Sequence, residues 1–143
     1  MTTFATDDDV QTRCPIAQTA LAAINAWRAA QSPALTAVTL ETYRTLAYDE
    51  ILRALRARSP AILPESITRP ADLVPSECFL TAATVCEAAI VRAPTTQRTQ
   101  NTTPDLYAEA SAFWRARYAE EIAKASPVDL QRGTGNSFSW QRC

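Results

Sequence analysis

The stretch that decides the fold is residues 72–92, DLVPSECFLTAATVCEAAIVR. Its apolar residues recur at the three- and four-residue spacing of a helical face: Phe79, Leu80, Ala83, Cys86 and Ile90. Within the apolar run the only charged residues are Glu77 and Glu87. A helix with so little charge predicts a central element that neighbours cover on more than one side.

Three further helices are predicted around this one. The first runs from Pro15 to Gln31, and the second follows Thr39 as N-cap and stops before Ser59-Pro60. The last follows Thr103 as cap, with Pro104 at its first position, and ends near Ala125. The second helix is expected to bury Leu40, Tyr43, Ala47, Ile51, Ala54 and Leu55. The last is expected to bury Tyr107, Ala110, Trp114, Tyr118 and Ile122, with Leu106 and Phe113 widening that face.

The composition supports a helical fold. Only two of the 143 residues are glycine, and an all-β chain would need turn residues far more often. We therefore predict an all-α fold: a small four-helix bundle with an extended C-terminal tail. The predicted domain organisation is a polar N-terminal arm at residues 1–12, a helical bundle at 13–125 and the tail at 126–143. The arm carries three consecutive aspartates, Asp7 to Asp9, and is expected to be disordered unless something holds it.

Several classes of function are disfavoured. The chain has no histidine and no glycine-rich phosphate loop, and its four cysteines show no C-x-x-C pairing. We therefore expect no enzyme activity, no catalytic residue, no cofactor and no bound metal. A net charge of −1 argues against tight nucleic-acid binding. No apolar run approaches the ~20 residues of a membrane span, and the acidic N-terminus is unlike a signal peptide, so a cytoplasmic protein without a membrane is expected.

The C-terminal tail has a different pattern. Residues 137–142, SFSWQR, alternate polar and aromatic side chains, which is typical of an extended segment. Phe138, Trp140 and Arg142 then point to one side. Two interpretations stay open: the two rings cover the chain's own core, or they bind a partner, and binding to a partner is favoured.

The order of these elements resembles a known family. A long helix ending LRALRAR at 52–58 precedes a connector containing Pro60, Pro64 and Pro70 and an apolar helix. A polar loop, a helix containing WRARY at 114–118 and the tail GNSFSWQR at 135–142 follow. This pattern resembles the head–tail adaptor (connector) proteins of tailed double-stranded DNA phages and related particles over residues 36–143. The helix at 15–31 and the acidic arm are not part of it.

The resemblance implies a structural virion component located in the neck and assembled in the host cytoplasm. It implies a homo-oligomeric ring, a dodecamer, that joins the portal protein to the next neck or tail protein. Genome DNA would pass through the ring without specific binding. By position, Phe138, Trp140 and Arg142 would contact the portal. The alternative is a stand-alone helical protein-binding module, for instance a regulator that sequesters another protein.

Overall fold

The computed structural model describes residues 3–92 and 103–125, and these form five α-helices. They are α1 (Asp7–Arg13), α2 (Ile16–Gln31), α3 (Leu40–Arg56), α4 (Val74–Arg92) and α5 (Thr103–Ala123). Two short 3₁₀ turns, Pro64–Ser66 and Pro70–Leu73, lie in the proline-containing connector. Neither described range contains a strand, and the all-α prediction is confirmed. The described helices are one more than the predicted four, and the predicted tail lies outside the described residues.

Helix α4 is the centre of the fold, as its composition predicted. It packs against α1, α2, α3 and α5 in turn. Its buried residues include Cys78, Phe79, Leu80, Ala83 and Cys86. Residues Pro70–Ile90 are long and apolar enough to cross a membrane, but 67% of the 18-residue window with a mean hydropathy of 1.4 is buried. Packing inside the fold therefore accounts for the apolar character of this helix.

The prediction for α3 is close to the structure, and α2 differs in part. Five of the six residues predicted to be buried on α3 are buried: Leu40, Tyr43, Ala47, Ile51 and Leu55. Thr39 occupies the N-cap position, but its side chain makes no capping hydrogen bond. On α2 the residue spacing predicts an apolar face of Ile16, Ala20, Ala23, Ile24 and Trp27. Ala20 and Ile24 are buried together with Ala17 and Leu21, whereas the other three predicted residues are half-buried.

Residues 3–12, the described part of the predicted polar N-terminal arm, pack on the bundle, and α1 extends from within this arm to Arg13. Thr6 caps α1 by accepting a hydrogen bond from the Asp9 backbone N–H, while the Asp9 carboxylate accepts one from the Thr6 backbone N–H. Such a capping box satisfies two donors that a helix start leaves free. Ala5 and Val10 are buried in the core cluster. The segment therefore folds onto the helices that follow it.

Arginine side chains join the helices at two places. Arg115 on α5 donates to Glu87 on α4 at 2.8 Å and to Glu50 on α3 at 3.2 Å. Arg58, just after α3, donates to the backbone carbonyls of Ile122 and Ala125 at the end of α5. The carbonyls that end a helix have no partner within it, and an arginine is a common donor to them. These hydrogen bonds fix α5 against α3 and α4.

Candidate protein-binding site

The residues that the sequence marked as a partner contact, Phe138, Trp140 and Arg142, lie outside the described residues. Their role in binding the portal stays a prediction. In the described part of the chain, two other features stand out as candidates for binding or for holding a segment in place. One is an apolar groove between α2 and α5, and the other is a polar clamp that holds the N-terminal segment.

The α2/α5 groove is a cavity of about 350 Å³ lined almost entirely by apolar atoms. Pro15 and Ile16 at the start of α2 form one wall. The other wall belongs to α5 and consists of Leu106, Glu109, Ala110, Phe113 and Trp114. Leu106 is 47% exposed and Phe113 is 52% exposed. Contiguous exposed apolar surface of this kind is typical of a binding site.

The expectation that Leu106 and Phe113 widen the buried face of α5 is therefore wrong. Tyr107 and Tyr118 are buried, and Trp114 is half-buried. Leu106 and Phe113 each precede a buried or half-buried aromatic residue, so each is rotated by about 100° from it around the helix axis. The spacing of seven between them places both on one face. Two apolar stripes run along α5, and α4 covers one of them.

An aromatic cluster joins the groove to the core. The Trp114 ring stacks on Phe79 of α4 with centroids 5.4 Å apart, and Phe113 meets Trp114 edge-on at 4.8 Å. The exposed Arg117 guanidinium lies 5.2 Å from the Phe79 centroid and 5.8 Å from that of Phe113. A cation over aromatic faces is attracted by their electron density. Because Trp114 packs on Phe79 of the central helix, one wall of the groove rests on the core.

The N-terminal clamp is built on Glu77, which is 0% exposed near the start of α4. Its two carboxylate oxygens accept hydrogen bonds from consecutive backbone N–H groups, Phe4 at 3.1 Å and Ala5 at 2.6 Å. Burial raises the pKa of the Glu77 carboxyl, against the lowering effect of these two N–H groups and of Arg44. A buried carboxylate is costly unless it is hydrogen-bonded, and here the N-terminal segment supplies the donors.

Arg44 on α3 completes the clamp from the other side. Its Nη1 donates to the Ala5 carbonyl at 2.7 Å and to the Thr3 hydroxyl at 2.6 Å, and its Nε donates to Asp7 at 2.8 Å. The Phe4 ring packs on Tyr48 with centroids 4.9 Å apart. The backbone N–H groups of Phe4 and Ala5 thus donate to the Glu77 carboxyl group, and the Ala5 carbonyl accepts from the Arg44 guanidinium. These hydrogen bonds from both sides hold the segment in one conformation.

A polar cleft of about 370 Å³ lies between the connector and the end of α5. Its charged residues form two ion pairs, Arg69 with Asp72 at 3.5 Å and Lys124 with Glu121 at 3.3 Å. Both pairs join residues three positions apart and are exposed to solvent, so they stabilise little. The charged side chains that line the cleft are therefore paired with each other.

The cysteine thiols of the core are unsuited to chemistry. Cys14, Cys78 and Cys86 are free and buried, and burial raises the pKa of each thiol to about 12. The thiolate is the reactive form, so these side chains are inert in the folded protein. Among the residues that the structure describes, no three His, Cys, Asp or Glu side chains converge on a possible metal site.

Comparison with known proteins adds no relative to this picture. No protein-family model, no curated protein and no solved structure matches the chain.

Proposed function

We propose that this chain is a non-enzymatic structural subunit that works by packing against other proteins. The observation that carries the proposal is the α2/α5 groove, where Leu106 and Phe113 stay about half exposed although α5 packs on the core. Apolar surface that a chain's described residues leave open is stabilised when another polypeptide segment covers it. Reactive groups are scarce by comparison, because the buried thiols are protonated and the charged side chains of the polar cleft are paired.

The particular form we propose is a head–tail adaptor of a virion neck, which rests on the resemblance of residues 36–143 to that family. In this proposal the subunits form a ring of twelve beneath the portal, and Phe138, Trp140 and Arg142 bind the portal. The opposite side of the ring meets the next neck or tail protein. The near-neutral charge of the chain suits a channel through which DNA slides without sticking.

The test is the mass of complexes formed by the full chain with the portal protein encoded near it, measured by native mass spectrometry and light scattering. A stable complex containing twelve copies of this chain supports the adaptor. A chain that stays monomeric beside the portal, or binds only some other protein one to one, overturns the adaptor and leaves the binding module.

Variants of the tail test which residues make the contact. Phe138→Ser with Trp140→Ser removes two aromatic anchors, and anchors of this kind contribute about 2 kcal/mol or more each. We expect portal affinity to fall several hundred-fold or more, since a loss of about 4 kcal/mol is nearly three factors of ten. The matched control, Ser139→Ala with Gln141→Ala, alters the positions that alternate with the rings and should leave affinity unchanged. Equal affinities for both double variants would contradict the assignment of the tail.

A further inference from the structure

We propose that, in the free chain, the C-terminal residues Phe138 and Trp140 occupy the α2/α5 groove of the same molecule. This docking takes place before the chain meets a partner and does not depend on the chain being an adaptor. The groove is then the site where the chain covers its own recognition segment. Binding to a partner then requires the two rings to leave the groove.

The sequence outside the described residues points to this occupant. Two segments outside the described residues are long enough to fill a groove. The first, residues 93–102, has the sequence APTTQRTQNT and contains no aromatic side chain and no leucine, isoleucine or valine. Residues 126–143 contain Phe138 and Trp140 at a spacing that places both rings on one side when extended. An apolar groove is filled best by large apolar side chains, and aromatic rings bury the most surface of any.

The length of the tail fits the distance. The groove residues Phe113 and Leu106 lie about 18–28 Å back along α5 from Ala125, at 1.5 Å per helical residue. Residues 126–138 reach about 40 Å when extended. The tail therefore spans the distance with slack. Because it is tethered to the groove, its effective concentration there is on the order of millimolar, far above that of a second copy in dilute solution.

Charge is complementary as well. Glu109 lies on the wall of the groove and is exposed. Arg142 follows Trp140 by two residues and so projects to the same side of an extended segment as the two rings. With the rings between α2 and α5, the Arg142 guanidinium meets the Glu109 carboxylate at the rim. A rim pair of this kind sets orientation more than it adds affinity.

The chain supplies its own probe for this arrangement. Cys143 ends the tail, and the thiols of Cys14, Cys78 and Cys86 are buried with a pKa of about 12. In the full chain, a cysteine introduced on α5 can therefore be linked selectively to Cys143 by a short bismaleimide. Glu109→Cys places the thiol at the groove. Ala108→Cys also places an exposed thiol on α5, but about 200° around the helix axis from Leu106 and therefore on the side away from the groove.

An undocked tail reaches both introduced thiols with similar frequency, whereas a docked tail favours position 109. We expect the intramolecular cross-link, measured by mass spectrometry on dilute protein, to form about 10-fold faster in Glu109→Cys than in Ala108→Cys. Adding Phe138→Ser and Trp140→Ser should remove the difference, and these changes leave the described core untouched. Equal rates at the two positions overturn the proposal. Cross-linked dimers in place of monomers overturn it too, because the occupant is then a second copy.

Discussion

The N-terminal clamp and the α2/α5 groove are built from opposite chemistry. The clamp closes a short segment over a fully buried carboxylate with hydrogen bonds of 3.1 and 2.6 Å, whereas the groove leaves Leu106 and Phe113 about half exposed. Satisfied buried polar groups specify one geometry, since any other leaves a donor or a charge without a partner. An apolar groove accepts whatever covers it. We therefore expect the clamp to contribute mainly to stability, and we propose the groove as a surface for recognition.

The largest loss of stability is expected from Glu77→Ala, which disrupts the clamp. The variant removes the acceptor of the Phe4 and Ala5 backbone N–H groups and leaves Arg44 without its buried counter-charge. Leaving buried donors unsatisfied costs about 1–3 kcal/mol each, so we expect the free energy of unfolding to fall by about 3 kcal/mol. Urea denaturation of the variant beside the parent chain measures the loss.

The control for this variant is Glu65→Ala. Glu65 is exposed in the connector, and an exposed substitution changes stability by less than about 0.5 kcal/mol. If Glu77→Ala and Glu65→Ala lose the same stability, the clamp contributes nothing and its hydrogen bonds are incidental.

Arg44→Ala removes the other half of the clamp. The Arg44 side chain is 12% exposed and donates to Ala5, Thr3 and Asp7. Hydrogen bonds that involve a charged group contribute about 1.5–3 kcal/mol, so we expect a loss of about 2 kcal/mol. Hydrogen exchange should also quicken at the amides of Phe4 and Ala5, as measured by NMR. Arg53→Ala, on the exposed side of α3, is the matched control and should change neither quantity. If hydrogen exchange at Phe4 and Ala5 is unchanged in Arg44→Ala, Arg44 does not help to hold the N-terminal segment.

The clamp also predicts a pH dependence. Burial raises the pKa of Glu77 in the folded chain above its unfolded value of about 4.3. The folded state then holds the proton more tightly, so this group's contribution to stability is fully present below pH ~4.3 and is lost as the pH rises through the folded pKa.

Urea denaturation of the parent chain and of Glu77→Gln, from pH ~4.3 upward, isolates the contribution of Glu77 to the pH dependence. The charged groups that face Glu77, Asp9 and Arg44, are present in both proteins. The free energy of unfolding of the parent chain should fall relative to that of the variant as the pH rises. Parallel curves, or a relative gain for the parent, would contradict the sign.

The two regions also mark where sequence reasoning succeeds and where it stops. Helices α3 and α4 follow from local spacing, because a residue every three or four positions defines a face whatever lies opposite. The N-terminal segment looks like a solvated arm because its partners, Glu77 and Arg44, lie far away in the chain. The local sequence from Thr3 to Asp7 does not predict a contact with a buried carboxylate. Only the folded structure brings the three segments together.

The error on α5 has a different cause. Leu106 and Phe113 belong to the same apolar pattern as Tyr107 and Trp114, and a helical wheel merges the two stripes into one wide face. Whether both are covered depends on how many neighbours reach α5, and among the described helices α4 is its main contact. One neighbouring helix covers one stripe. The width of an apolar face can be read from sequence, but the number of elements that cover it cannot.

The smallest loss of stability is expected from Leu106→Ala in the groove. The size of that loss shows whether the tail covers the groove. In the tail background Phe138→Ser/Trp140→Ser, Leu106→Ala and Leu46→Ala should lose equal stability within about 0.5 kcal/mol, because Leu106 is 47% exposed and Leu46 is 51% exposed. Leu80→Ala, which empties a fully buried site, should cost about 2–5 kcal/mol in either background. With the tail intact, Leu106→Ala should cost more than Leu46→Ala, since docked rings bury the Leu106 side chain further. Urea denaturation of these six variants and the two background proteins measures the losses. Identical losses at Leu106 and Leu46 in both backgrounds would mean that the groove stays open in the free chain, unlike the closed clamp.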